Sequence, residues 1–372
     1  MKPRCLRRFR GIQSGMLVAA FALCTPAVPW AQQTSSERRG TSILDALRCA
    51  PCGLLAVLLC ASMWVVPPAR GAADESPRVP RVGTLMIPAN SALAEGLRDG
   101  LRKLGYMEGK NIAIDWRASG SADSDLRAAA LELAREKTDL IVVGSTLAGR
   151  AALEATTAPI VFVSGDPVAA SLAASLARPG GRATGVSLLT TELAGKRLEL
   201  LRTLAPKADH IVFMMNSANP QGARQLKEAQ EAARTLGVHL VSLDVQTARG
   251  IDGALNRLPH SKTGGVVIAA EILFYMNRAK IAQAVRKAKL PAIFPATEYH
   301  DSGVLLSYGP NLTNTGRALA PYVDRILKGA NPAELPVEQV SELELVVDLQ
   351  EARWIGIVVP ETFLLRAHQV IQ

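Results

Sequence analysis

From residue 81 onward, short apolar runs alternate with stretches in which apolar residues recur every three or four positions. The runs are typical of buried strands, and the stretches are typical of helices with one apolar face. In the first half of the chain this pattern predicts strands at 81–87, 111–116, 139–143 and 159–163, with helices between them. Such regular alternation indicates a doubly wound α/β lobe.

The same alternation starts again after residue 192 and predicts a second lobe of the same construction. Its strands are expected at 210–215, 238–245, 264–270 and 290–294. A strand, a helix and another strand are then expected at 303–308, 314–327 and 342–347. Open α/β sheets bind ligands at the carboxyl ends of their strands. Two such lobes therefore suggest a clamshell with a small ligand between them.

The first 73 residues differ from the rest. Apolar segments at 16–24 and 54–66 each follow basic residues and lead into small ones, the order of a secretory signal. We expect cleavage near Ala72 or Ala73 and an exported, periplasmic protein, with a lipid or membrane anchor as the alternative. This leader also holds all five cysteines, so the remaining chain can form no disulfide and no thiolate metal site.

The charge is concentrated in the same leader. The whole chain carries a net charge of +9, and residues 1–73 contribute +7 of it (nine Lys and Arg against two acidic residues). The remaining residues are therefore close to neutral, which indicates no nucleic-acid partner. The sequence shows no nucleophile elbow, no HExxH and no phosphate loop, and its five histidines are scattered. We expect neither an enzyme nor a metal or cofactor.

Residues 161–187 hold the most informative stretch of the chain. An apolar run at 161–163 ends at Ser164-Gly165-Asp166-Pro167, where glycine frees the backbone and proline suits the first turn of a helix. A helix of small apolar residues is expected at 168–176. The end of the strand would then offer a hydroxyl, a carboxylate and free helix amides to a ligand. The alternative is an ordinary connection in which Asp166 only organises its own turn.

Several motifs carry a family resemblance, and they occur in order along the chain. They include GYMEGKNI at 105–112, ATTAPIVF at 155–162, GDPV at 165–168, SLARPGG at 175–181, SYGPN at 307–311, ILKGANP at 326–332 and LPVEQ at 335–339. From about residue 80 to its end, the chain resembles the ABC transporter substrate-binding family with the GDPV…SLARPGG signature. That family is related to tryptophan-binding and other amino-acid-binding lipoproteins.

The resemblance implies a type I periplasmic-binding-protein fold, in which two Rossmann-like lobes are joined by three crossovers. We expect the first lobe at 79–187 with 301–329, and the second at 188–300 with 330–372. The resemblance also implies that the protein is a monomeric component of an importer. Such a component captures a small ligand and contacts a membrane permease, which works with an ATPase. The expected ligand is an amino acid, and aromatic amino acids are among the candidates. A ligand sensor that docks on a membrane receptor is the main alternative, and an exported enzyme is a weaker one.

The type I fold places ligand contacts at strand ends that face the cleft. In the first lobe the matching residues are Asn90, Ser91, Ser145, Thr146, Ser164 and Asp166, and in the second they are Asn216, Glu271, Tyr275, Glu298, Tyr299 and Tyr308. Hydroxyls and helix amides suit a carboxylate, a carboxylate suits an ammonium group, and tyrosines suit an apolar side chain. For three of these residues a structural role is the alternative. Asn90 and Ser145 could be helix N-caps, and Tyr275 could be a core residue.

Overall fold

The structure is a computed structural model that describes residues 78–118, 123–256 and 263–372, all within one unit that spans residues 75–372. The two apolar segments of the leader, the five cysteines and the expected cleavage site lie outside the described residues. Among the helices that the structure describes, none is long and apolar enough to cross a membrane.

The first lobe is built on a six-stranded sheet in which every pair of neighbours is parallel. Its strands, in the spatial order β11-β5-β4-β3-β1-β2, are β1 (Arg81–Leu85), β2 (Ala113–Arg117), β3 (Leu140–Val143), β4 (Ile160–Ser164), β5 (Ala183–Ser187) and β11 (Glu338–Gln339). Its helices are α1 (Ala92–Lys103), α2 (Asp123–Arg135), α3 (Thr146–Ala155) and α9 (Leu312–Leu327). One face of the sheet packs on α1 and α9, and the other packs on α2 and α3.

The second lobe is built on a seven-stranded sheet. Its strands, in the spatial order β13-β12-β10-β9-β8-β6-β7, are β6 (His210–Met215), β7 (His239–Asp244), β8 (Thr263–Ile268), β9 (Ala292–Phe294), β10 (Leu306–Pro310), β12 (Leu343–Asp348) and β13 (Gln369–Ile371). Strand β12 is antiparallel to β10. The helices are α4 (Leu193–Leu204), α5 (Pro220–Leu236), α6 (Gly250–Asn256), α7 (Ile272–Met276), α8 (Arg278–Lys287), α10 (Leu349–Ile355) and α11 (Glu361–Leu364), and short 3₁₀ helices lie at Thr297–Ser302 and Pro332–Glu334. The predicted fold class, two doubly wound α/β lobes, is confirmed.

The chain passes between the two sheets three times. The first crossover, residues 188–192, follows β5, the second joins β10 to α9 at Asn311, and the third, residues 340–342, joins β11 to β12. The expected lobe boundaries need correction here. Strand β10 was expected in the first lobe but pairs in the second sheet, and β11 was expected in the second but pairs in the first. A strand's own apolar pattern does not specify which sheet edge it joins, so the sequence could not place either strand.

The predicted helix at 168–176 is wrong, because the chain forms a series of turns there instead. Asp166 accepts from the amide of Ala169 with its side chain, as an N-cap would, but Ser171 adopts a left-handed φ of 59°. Left-handed backbone cannot continue a right-handed helix. The helical turn therefore ends there, and further turns and bends lead to β5 at Ala183.

Helices α1 and α9 pack unusually closely, because glycines form the contact. A methyl group on Gly96 would overlap the backbone carbonyl of Thr313, and one on Gly316 would overlap the carbonyl of Leu93. Only glycine permits backbones to approach to this distance. This contact fixes α9, which follows the second crossover, on the first lobe.

We expect Gly96→Ala to lower the free energy of unfolding by about 2 kcal/mol. Overpacking costs about 1–3 kcal/mol, which exceeds the gain of up to about 1 kcal/mol in helix propensity. Denaturant unfolding measures this change. Gly181→Ala is the matched control, because Gly181 has no left-handed φ and no heavy atom lies within 4 Å of a methyl group there. A Gly96→Ala protein as stable as the wild type would contradict this close packing.

Candidate functional site

A cavity lies between the two lobes, where the parallel strands of both sheets end. The first lobe contributes the ends of β1 and β3 with the starts of α1 and α3, and the second contributes the ends of β8 and β9 with the start of α5. The lining residues are Met86, Pro88, Ser91, Leu93, Gly144, Ser145, Thr146, Leu147, Val163, Gly165, Leu188, Thr190, Asn219, Gln221, Ala270, Glu271, Ile272, Tyr275, Pro295, Ala296, Tyr299, Pro310 and Leu312. Most of them are apolar, with a small set of polar groups from both lobes.

Half of the residues predicted from the sequence line this cavity, namely Ser91, Ser145, Thr146, Glu271, Tyr275 and Tyr299. Ser91 and Ser145 are also N-caps, since their hydroxyl oxygens accept from the amides of Ala94 at 3.3 Å and Ala148 at 3.1 Å. Ser91 donates its own proton to the carbonyl of Pro88 at 2.7 Å, whereas the Ser145 hydroxyl has only the weak acceptor Met86 Sδ at 3.7 Å. Of these two serines, Ser145 is therefore the one that can donate to a ligand.

The predicted first-lobe residues that do not line the cavity have other contacts. Asn90 is exposed to solvent, because its neighbour Ser91 takes the cap position. Ser164 is buried behind Thr146, and their hydroxyl oxygens are 2.8 Å apart. Asp166 accepts from the amide of Ala169 at 3.0 Å and so organises its own turn, the alternative that the sequence left open.

In the second lobe, Asn216, Glu298 and Tyr308 also lie away from the cavity lining. Asn216 accepts from the amide of Ala218 with its side-chain oxygen. Glu298 accepts from the amide of Leu312 and so holds the start of α9. Tyr308 is half-buried and packs against the core of the second lobe.

Glu271 is the acidic residue of the cavity. It follows β8, its side chain is only 6% exposed, and the amide of Asn219 donates to its Oε2. Burial raises the pKa of Glu271, although the amide groups of Asn219 and Asn216 oppose this by stabilising the carboxylate. A carboxylate in apolar surroundings attracts a positively charged group strongly, because water screens the pair little.

Two tyrosines form an aromatic wall on the same side. Tyr275 and Tyr299 meet edge to face with centroids 5.5 Å apart, and Phe294 packs behind Tyr299 at 5.1 Å. The guanidinium of Arg278 lies 4.7 Å from the ring centre of Tyr275 on a cation–π contact. This wall supplies rigid apolar area for a ligand side chain.

The sequence did not single out Thr190, Asn219 or Gln221, which all line the cavity. Thr190 lies in the first crossover, where no periodic pattern exists. Gln221 lies in the first turn of α5, where the Asn219-Pro220 start of the helix, directly after β6, was the available signal. The Gln221 side chain is 2.7 Å from the Thr190 hydroxyl and 3.3 Å from that of Thr146.

These contacts show that the two lobes are closed on each other. Gln221 belongs to the second lobe and Thr146 to the first, so their hydrogen bond crosses the cleft. One turn further along α5, Arg224 lies 3.8 Å from the carboxylate of Asp166 across the same gap.

Gly165 has a steric role at this contact. A methyl group on Gly165 would overlap the side chains of Gln221 and Thr190, and its backbone has no left-handed φ. The sequence predicts backbone freedom as the reason for this glycine, but the space that the facing side chains need is what requires it.

Two Rossmann-like lobes, three crossovers and a mixed apolar and polar cavity between strand ends define a binding protein with the type I periplasmic-binding-protein fold. A sequence model described as ABC transporter substrate binding protein matches residues 83–371. The chain belongs to this family, whose members bind small molecules outside the cytoplasm for ABC transporters.

Specific relatives support the same assignment. The tyrosine-binding protein of Clostridioides difficile (strain R20291) is 26% identical over 263 residues, which are 70% of this chain and 75% of the relative. An ABC domain from Streptococcus pneumonia, solved in complex with L-Trp, is 26% identical with a TM-score of 0.72 and covers 78% of this chain and 99% of that one.

A substrate binding protein with adhesive properties from Clostridium difficile is also 26% identical, and its ligand-free, open structure gives a lower TM-score of 0.58. This alignment covers 79% of this chain and all of the other. This chain therefore has the higher TM-score with the L-Trp complex than with the ligand-free, open structure. That difference agrees with the hydrogen bond and the ion pair that hold the two lobes together across the cleft here.

The raised pKa of Glu271 predicts how stability depends on pH. Because the folded protein holds this proton more tightly than the unfolded chain, stability declines as pH rises from the ordinary Glu value of about 4.3 through the raised pKa. We expect Glu271→Gln, which is neutral, to remove this decline and to be more stable than the wild type at neutral pH by about 1 kcal/mol. Denaturant unfolding at a pH near the ordinary Glu pKa and again at neutral pH measures the difference in free energy of unfolding between the variant and the wild type.

The control is Glu95→Gln, which changes an exposed carboxylate on α1. Its effect should stay within about 0.5 kcal/mol at either pH. If Glu271→Gln were less stable than the wild type at neutral pH, the account of Glu271 as a carboxylate held at a cost by burial would be wrong.

Proposed function

We propose that this protein is the extracytoplasmic binding component of an amino-acid importer and that its ligand is an amino acid with an aromatic side chain. The observation that carries the proposal is the position of Glu271, a buried carboxylate beside an aromatic wall, opposite a set of hydroxyls on the other lobe. An amino acid presents the matching groups, namely an ammonium, a carboxylate and a side chain.

In the proposed complex the ligand's ammonium group pairs with Glu271, and the Asn219 amide holds that carboxylate in place. The ligand's carboxylate faces the first lobe near Ser145, where the hydroxyl and the start of α3 favour an anion. Its side chain packs against Tyr275 and Tyr299. The names of the relatives support an aromatic side chain, since one binds tyrosine and another was solved with L-Trp.

The proposed mechanism is capture by closure. A ligand that contacts both lobes stabilises the closed form by its extra affinity for that form, and no bond in the ligand is made or broken. Closure also excludes water from the ammonium–carboxylate pair and so strengthens it. The closed protein then delivers its ligand to a membrane permease that works with an ATPase, after export of the chain to the periplasm.

The test is calorimetry of the purified protein with L-tryptophan, L-tyrosine and a panel of other amino acids. We expect one aromatic amino acid to bind and Glu271→Gln to weaken it by about 10–100-fold, because a charge-assisted hydrogen bond contributes about 1.5–3 kcal/mol. Wild-type affinity should also fall as pH drops below the raised pKa of Glu271, where the carboxyl becomes neutral, whereas the variant should lack that dependence.

Glu298→Gln is the matched control, because Glu298 is a carboxyl group of the same lobe, also with a pKa raised by burial, that does not line the cavity. Its affinity and its pH dependence should equal those of the wild type. If Glu271→Gln bound the amino acid as tightly as the wild type, Glu271 would not pair with the ammonium group. If no amino acid bound the wild type, the proposed ligand class would be wrong.

A further inference from the structure

The side chains around Gln221 form a chain of hydrogen bonds whose direction follows from the orientation of the Gln221 amide in the structure. The Gln221 nitrogen Nε2 lies 2.7 Å from the Thr190 hydroxyl, and its oxygen Oε1 lies 3.3 Å from the Thr146 hydroxyl. An amide nitrogen only donates and an amide oxygen only accepts. Thr190 is therefore an acceptor in this chain, and Thr146 is a donor.

The same logic extends one residue further into the first lobe. Thr146 uses its single proton on Gln221, so the hydroxyl of Ser164, 2.8 Å away, must donate to Thr146. The donors thus run from Ser164 through Thr146 and Gln221 to Thr190. Hydrogen bonds aligned in this way polarise and strengthen one another.

Thr190 ends this chain with its own proton unused. Its side chain is 5% exposed and lines the cavity, and no hydrogen bond within the described residues uses the proton of its hydroxyl. A buried hydroxyl without an acceptor is costly. The geometry therefore places a donor at the cavity that is satisfied only when a ligand, or water in its place, accepts from it.

The charge behind Thr190 favours an anionic acceptor. The fully buried guanidinium of Arg197 lies 3.5 Å from the Thr190 carbonyl and also donates to the carbonyls of Pro295 and Tyr308. Within the part of the chain that the structure describes, no carboxylate pairs with Arg197. An unbalanced buried cation beside the cavity stabilises negative charge there.

We propose that Thr190 donates a hydrogen bond to the carboxylate of the bound amino acid and that Gln221 is the positioning residue that orients this hydroxyl. The inference rests on the proposed function and makes it more specific. It also changes the role of Thr146, one of the first-lobe hydroxyls expected from the sequence to suit the ligand's carboxylate. In the closed form the proton of Thr146 is used by Gln221, so Thr190 takes that role.

The test compares each amino acid with the amine that lacks only its carboxylate, namely L-tryptophan with tryptamine and L-tyrosine with tyramine. Calorimetry of the full chain gives the ratio of the two affinities. We expect Thr190→Val to weaken amino-acid binding by about 10-fold or more, as for the loss of a hydrogen bond to a charged group, and to leave amine binding unchanged. Thr190→Ser keeps the hydroxyl and should keep most of the affinity.

Thr191→Val is the matched control. The Thr191 hydroxyl is buried without a hydrogen-bond partner among the described residues and does not line the cavity, so its removal should leave both affinities unchanged. Equal loss of amino-acid and amine binding in Thr190→Val would show that Thr190 only shapes the site, and unchanged amino-acid binding would show that it does not donate at all. Either result overturns the proposal.

Gln221→Met tests the positioning role. It removes the amide at similar length, so it should lower the ratio of amino-acid to amine affinity, and the double variant with Thr190→Val should lower that ratio no further than Thr190→Val alone. Additive effects on the ratio would overturn the role of Gln221. Failure of the proposed function is distinguishable, because wild-type protein would then bind neither amino acid.

Discussion

The structure depends on one constraint, which is that parallel strands of a sheet all end at the same edge. Each lobe therefore gathers the residues that follow its strands along one line, and the crossovers bring the two lines face to face. Hydroxyls and helix starts come from the first lobe, and Glu271 with its aromatic wall comes from the second. The cavity is thus a consequence of the topology, and its chemistry depends on a few residues at strand ends and crossovers.

Glu271 and Arg197, two of the charged residues buried in the second lobe, are held in different ways. Glu271 is stabilised as a carboxylate by amide groups and lines the cavity, where a ligand can add a positive partner. Arg197 is surrounded by backbone carbonyls, and although burial lowers its pKa to about 10, it stays protonated at neutral pH. Both arrangements favour a ligand that carries one charge of each sign, because each buried charge gains from an opposite one.

The sequence predicted much of the fold, because the apolar runs and amphipathic stretches are long and regular. It failed where a local pattern has more than one physical outcome. Small residues at 168–176 suit a helix, yet the left-handed Ser171 ends it. For β10 and β11, burial alone could not reveal which sheet provides the partner.

The candidate site was predictable where strand ends provide it, as for Ser145 and Glu271. Residues that follow a strand but bond to their own turn, such as Asp166, cannot be told apart by sequence from those that face the cavity. Thr190 could not be found either, because its place depends on Gln221 from a distant part of the chain.

Solution X-ray scattering with and without the bound amino acid tests the central claim most directly, since that claim is that ligand holds the two lobes closed. The account predicts that the ligand-free protein populates an open form and that saturating ligand lowers the radius of gyration to that of the closed structure. Capture by closure would be contradicted if an amino acid bound with no change in the radius of gyration, whether the ligand-free protein was open or closed.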